Sequence, residues 1–264
     1  MNIFLRELRA NLKSLLIWSG LVILLIWIAI IKYSAFADNP EMLAILNAYP
    51  KSLLDALNMN AFNLTTLSGF YGVMFSYFGL MGAIAAGLWG SGIIAKEERN
   101  KTIEFSLSLP VTRNRFITAK ALAALANSIA FMAITWIASI VAVHAYHPDS
   151  VFYDFLTREM AAILMIELIF LAIGLLVACA MRRPQRTGGI VIAIILITYY
   201  LSFITGLHEK LDFLKYLSPF KYFDAATLLH QGGVEPVYWG LTSVIILLGL
   251  AGAYYAYNRR DLYI

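Results

Sequence analysis

Glu167 is the sole charged residue in the apolar run 160–181, and few other groups in this chain combine type and setting for chemistry. A charged carboxylate at mid-bilayer costs about 2.5–3.5 kcal/mol even on lenient insertion scales, so this one is expected to be protonated, paired or facing water. Two readings stay open: a group on a transport path, or a neutral carboxyl bonding a neighbouring helix. A second candidate is the charged stretch 96–120, KEERNKTIEFSLSLPVTRNRFITAK, with six of the twenty Lys and Arg and three of the sixteen acids. Its charges suit docking on another protein, although a solvated loop between spans would read similarly. His144, His147 and Asp149 lie close together but make an incomplete metal set, so no metal site is expected. No Gly-Lys-Ser/Thr occurs, which excludes a Walker A loop. Leu67-Ser68-Gly69 matches the start of an ATPase signature yet runs straight into an apolar segment. Nucleophile–base and zincin patterns are absent, so no catalytic residue is assigned and the chain is not read as an enzyme.

The elements that position these groups follow from composition. Hydrophobic residues make up 61% and charged residues 14%, against roughly 45–50% and about 25% in soluble domains. The reading is an all-α polytopic membrane protein, one transmembrane domain over 1–264 with six spans at about 15–31, 68–95, 117–143, 159–181, 188–206 and 237–257. Each approaches or exceeds what a hydrocarbon core of ~30 Å needs at ~1.5 Å per residue. The net charge of +4 is no nucleic-acid signal, because basic residues sit at span ends. The single cysteine, Cys179, excludes an internal disulfide and reads as a packing residue.

Charge also orients the spans. Fourteen Lys and Arg fall in the N-terminal, 96–120, 182–186 and C-terminal segments, whereas the remaining segments hold six with ten acids. Both termini and a segment at 96–116 are therefore expected on the cytoplasmic side. At helical spacing, residues 1–14 read as an amphipathic entry segment suited to the inner membrane surface. Ala35-Phe36-Ala37 mimics a signal-peptidase site, but the preceding run is long and holds Trp18 and Trp27, which favours an uncleaved span. Pro110 breaks the chain and Thr112 caps the next helix. Gly79, Ala83, Gly87 and Ser91, with Gly82, Ala86 and Gly90 beside them, form a small-residue face for helix packing, preferred over a substrate groove. Asn63-Leu64-Thr65 is a glycosylation match of low specificity. Ser218 with Pro219 reads as an N-cap and first helical position, Gly232-Gly233 as its stop, and 208–236 as two short amphipathic pieces.

Four sequence patterns resemble ABC-2 type transporter permeases, in the order that family has them: Arg6-Glu7-Leu8 with Trp18; Glu98-Arg99, Thr102, Glu104-Phe105, Leu107 and Leu109-Pro110-Val111-Thr112-Arg113 with Lys120; Leu217-Ser218-Pro219-Phe220-Lys221-Tyr222-Phe223; and Arg260-Asp261-Leu262. Lys101 stands where that family usually has Gly. The resemblance spans the chain and implies a type V exporter-like permease fold, with short outer helices dipping into the leaflet before the last span. It implies that the segment 96–116 docks on a separate ABC ATPase, with Glu97, Glu98, Arg99, Thr102, Glu104, Phe105, Leu109, Pro110 and Arg113 as coupling residues. ATP and Mg would be bound by two such subunits and no cofactor by this chain.

Six spans are half of the usual twelve, which implies a second permease copy or a paralogue. The expected setting is a bacterial cell membrane, and the expected role an ATP-driven exporter. Apolar spans favour hydrophobic or amphipathic cargo: peptides of the phenol-soluble-modulin kind, antibiotics or lipid-like compounds. The rivals are a secondary transporter or ion-exporting permease using Glu167, and an intramembrane enzyme, for which no catalytic pair is found.

Overall fold

The computed structural model describes residues 3–37, 39, 48, 62–100, 111–205 and 209–260, and among these no strand occurs. The predicted residues Thr102, Glu104, Phe105, Leu109 and Pro110 lie outside the described residues. The α-helices are, in order, α1 Ile3–Phe36, α2 Leu67–Arg99, α3 Arg113–Val143, α4 Ser150–Ala180, α5 Thr187–Ile204, α6 Pro219–Tyr222, α7 Ala225–His230 and α8 Pro236–Arg259. Six of them (α1 to α5 and α8) are long and apolar enough to cross a membrane.

Polar residues set where these helices start. The Thr66 hydroxyl accepts from Gly69 N–H at α2, Thr112 from Arg115 N–H at α3, and Asp149 from Phe152 N–H at α4. Each meets one of the first-turn donors that has no partner within its helix. The Asp149 carboxylate, 2.8 Å from Phe152 N, is thus engaged as a cap rather than aimed at the neighbouring histidines.

Two spans form the centre. The most apolar windows of α2 and α4 are 72% and 67% buried, against 17–33% for the other four, so those four keep a broad lipid-facing side. Between apolar helices in lipid there is no hydrophobic drive to associate, so close approach has to supply the contact energy. Glycine supplies it here. A Cβ at Gly90 would strike the Leu171 carbonyl, and one at Gly174 would strike the Gly87 carbonyl, so α2 and α4 meet backbone to backbone. At Gly87 a Cβ would also lie 2.8 Å from Val191 of α5. Gly79 makes only an ordinary contact with Ile166, and Gly82 faces the Glu167 carboxyl instead of a backbone.

Three expectations are corrected. The N-terminal segment is not a separate surface helix: α1 runs unbroken from Ile3, and its Glu7 is buried. Ser218 does not cap α6 with its side chain, because its hydroxyl donates to the Thr198 carbonyl of α5, 2.7 Å away. The 208–236 region holds three pieces, not two: a 3₁₀ turn at Glu209–Leu217, then α6 and α7, with Gly232 in left-handed geometry (φ 71°) after the last.

Candidate coupling site

The last turn of α2 carries Lys96, Glu97 and Glu98, and α3 begins at Arg113; the segment 101–110 therefore joins two helix ends. Around those ends the charges form two networks.

Lys120 is at the centre of the first and is fully buried. Its ammonium has three donors and three acceptors meet them: Glu7 Oε1 at 3.0 Å, Glu97 Oε1 at 2.9 Å and the Ile93 carbonyl at 2.7 Å. Phe116 lies under the same charge, its ring centre 4.9 Å away. Glu7 also meets Lys96 at 2.5 Å, and Arg6 reaches Glu97 at 2.7 Å. Two carboxylates are shared by three cations drawn from α1, α2 and α3. A buried ion survives only with such multiple partners, since each costs several kcal/mol to desolvate.

The second network closes the other side. Glu98 pairs with Arg260, whose guanidinium also donates to the Ala178 carbonyl at 3.1 Å at the end of α4. Arg113 donates to the Tyr257 and Arg260 carbonyls, at 3.1 and 2.9 Å, where α8 ends. Both arginines serve carbonyls that helix termini leave unpaired, and both place positive charge at the negative end of a helix dipole. Asn258 donates to Asn114 at 2.6 Å, and Thr118 shares a hydrogen bond with Tyr254 at 2.7 Å. Together the networks tie α1, α2, α3, α4 and α8 at one end.

This placement corrects part of the sequence reading. Glu97 and Glu98 read in the sequence as charges facing a partner, but their side chains are only 7% and 5% exposed and turned inward. Arg113 likewise lies against the end of α8, whereas Arg99 is exposed. Sequence reasoning missed Glu7 and Lys120 as members of the network around Glu97. One signal was present: Glu7 is the sole acid in the first 37 residues, set between Arg6 and Arg9.

A family model described as "ABC-2 family transporter protein" matches residues 1–262. The chain belongs to this family. This permease is thus a multi-pass membrane subunit of an ABC transporter, partnered by a separate ABC ATPase subunit. No curated protein gives a significant match.

Glu167 of the permease lies away from both networks, fully buried on α4. A Cβ at Gly82 of α2 would be 2.8 Å from its Oε1, so that glycine leaves the space the carboxyl occupies. Ser128 of α3 is the polar group facing it. Neither carboxyl oxygen has a partner in hydrogen-bond geometry among the described residues, and the same holds for Glu159, two turns earlier on α4. Among the described residues no cluster of His, Cys, Asp and Glu has metal-ligand grouping.

Proposed function

We propose that this permease is the membrane half of an ATP-driven exporter, moving hydrophobic or amphipathic cargo outward across a bacterial cell membrane. Peptides of the phenol-soluble-modulin kind, antibiotics and lipid-like compounds are the cargo classes favoured. Two ATPase subunits act on two permease copies, or on this chain and a paralogue. Each ATPase receives the segment 96–116, with both termini on the same, cytoplasmic side. The observation that carries this reading is the pair of ionic networks. They clamp both flanks of 101–110 to five of the six spans, so a push on that segment reaches most of the bundle at once.

In this mechanism Glu97, Glu98 and Arg113 transmit and do not touch the ATPase. Docking falls to the exposed Arg99 and to Thr102, Glu104, Phe105, Leu109 and Pro110, where apolar anchors and one acid give packing and orientation. The cargo class rests on the apolar composition of the spans. The cleft at the far end, about 40 Å³ and lined by Phe75, Tyr199, Phe203 and Phe220 with Lys221 and Asp224, is too small to hold such cargo. A secondary transporter or ion-exporting permease is the second reading, favoured by Glu167, a carboxyl fully buried within a span.

The test is co-expression with a candidate ATPase and affinity capture of the permease. Glu104→Lys with Phe105→Asp should abolish capture and export while the permease still inserts and purifies intact. Normal capture and export in that double variant would refute docking at 96–116. Export that persists without any ATPase, driven by an ion gradient, would favour the second reading. Orientation is read separately with a cysteine at Glu209. Native Cys179 is buried, so external labelling of intact cells reports the new thiol. Labelling only after permeabilisation would reverse the topology.

A further inference from the structure

At the end of the bundle away from the ionic networks, a cavity of about 360 Å³ opens between α4, α7 and the start of α8. Its size falls within the ~300–1,000 Å³ of small-molecule sites. The walls are Ala161, Ala162, Phe223, Leu228, Val234 and Trp239, and the single charged group on the lining is Arg158. Phe223 and Trp239 meet edge to face at 5.8 Å, which gives one wall a fixed aromatic surface.

Arg158 differs from other cations at this end. Lys215 is 2.6 Å from Asp212 and Lys221 is 3.0 Å from Asp224, whereas Arg158 has no carboxylate within 4 Å among the described residues. The chain that passes it is bare. Gly232, at φ 71°, would place a Cβ 3.1 Å from the guanidinium, and Gly233 has nothing within 4 Å of its own Cβ position. The planar fork of Arg, with five donors, is therefore left facing a turn without side chains, at the mouth of an apolar groove. Trp239, Tyr238 and Tyr216 near the start of α8 mark the depth at which aromatic residues meet lipid headgroups.

We infer that this cavity binds an anionic lipid of the adjoining leaflet, its phosphate held by Arg158 and the upper part of one acyl chain lying in the groove. A guanidinium takes a phosphate through two parallel bonds, and a carboxylate-free arginine beside apolar walls complements an anionic amphiphile on both counts. The groove is open at the protein surface, where Arg158, Ala161 and Trp239 are exposed. This site is independent of which side the ATPase binds.

The experiment is native mass spectrometry of the full-length permease after detergent delipidation, with phosphatidylglycerol or phosphatidylcholine of identical chains added back. Wild type should retain phosphatidylglycerol about tenfold better, the weight of one charge-assisted contact. Arg158→Gln should bring the two lipids level, and Arg158→Lys should recover part of the preference. Ala161→Trp, which fills the groove without touching the charge, should lower retention of both lipids. Each variant is first checked for unchanged melting and elution. Equal phosphatidylglycerol preference in wild type and Arg158→Gln would overturn the site, showing an arginine that only reaches the headgroup layer. Complete displacement of the lipid by excess inorganic phosphate, with Ala161→Trp inert, would also overturn it, because the groove would then hold no chain.

Discussion

Where residues 96–113 meet the bundle, five spans are joined by charge-assisted bonds of 2.5–3.3 Å between named atoms. At the opposite end rings pack against one another beside a few short-range polar bonds such as Ser218 to Thr198. Tyr199 meets Phe203 at 4.9 Å and Phe220 at 5.2 Å, Tyr222 stacks on Tyr238 at 5.3 Å, and Phe223 meets Trp239 edge on. The two kinds of contact respond differently to displacement. A buried ion pair loses most of its value when one partner moves away, so it holds helices in fixed relation. A ring contact is worth about 0.5–1.5 kcal/mol beyond burial and has several acceptable geometries, so it can slide. The permease is therefore stiffer at the end that carries the ionic networks than at the end held by rings.

Removing the central cation should break that contrast most. Lys120→Met leaves Glu7 and Glu97 buried with Arg6 and Lys96 as their remaining cationic partners. We expect a loss of about 3–5 kcal/mol, measured by denaturant unfolding in detergent. A loss below about 1 kcal/mol would mean that the network behaves like a surface pair and clamps nothing.

Arg260→Gln should cost about 2–4 kcal/mol, because Glu98 loses its charged partner, although the Gln amide can still donate to it and Arg113 still holds the end of α8. Its larger signature should be functional: the ATPase still binds, but hydrolysis no longer drives export. Capture assays beside export assays distinguish the two. Loss of binding itself would place Arg260 in the docking surface instead.

Legibility in the sequence divides by range in a similar way. The six spans were legible because each is a local run of apolar residues, and Thr112 was legible as a cap because residue type and neighbours decide it. The direction of Glu97 and Glu98 was not. Their partners Arg6 and Arg260 lie 91 and 162 positions away, and a helix end bearing charges looks alike whether it faces solvent or another helix. Ser218 failed for the same reason: a distant carbonyl at Thr198 outcompeted the local cap. Glycine spacing disclosed a close-packed face but not that Gly82 faces a carboxyl while Gly90 faces a backbone.

At the ring end, Tyr222→Phe should cost only about 0.5–1.5 kcal/mol. The Tyr222 hydroxyl donates to the Tyr216 carbonyl at 2.5 Å, and this is the bond removed, while the stacked ring stays. Burial, with Tyr238 alongside, pushes the Tyr222 phenol above its ordinary value, so it remains a neutral donor at physiological pH. The same unfolding measurement applies. A loss as large as that of Lys120→Met would erase the contrast between the two ends.

The smallest change in stability should come from Glu167→Gln, midway between the ends. Its carboxyl meets no partner within strict hydrogen-bond geometry among the described residues, and an amide of equal size keeps an oxygen facing Ser128, so little that holds helices together is removed. We expect unfolding within about 0.5 kcal/mol of wild type. Gly82→Ala should be worse, since its new methyl would press on the carboxyl, and pairing it with Glu167→Ala should restore what was lost. Function separates the two readings of this residue. If ATP drives export through the clamped end, Glu167→Gln should assemble with the ATPase and export normally across pH. If a proton enters the cycle here, the variant should assemble equally well yet export poorly, with a flattened pH profile, and the driving force would have to be reassigned. Glu167→Leu supplies the control: it should match wild type in stability if the carboxyl bonds nothing, and a clear loss would show a bonding partner in the membrane.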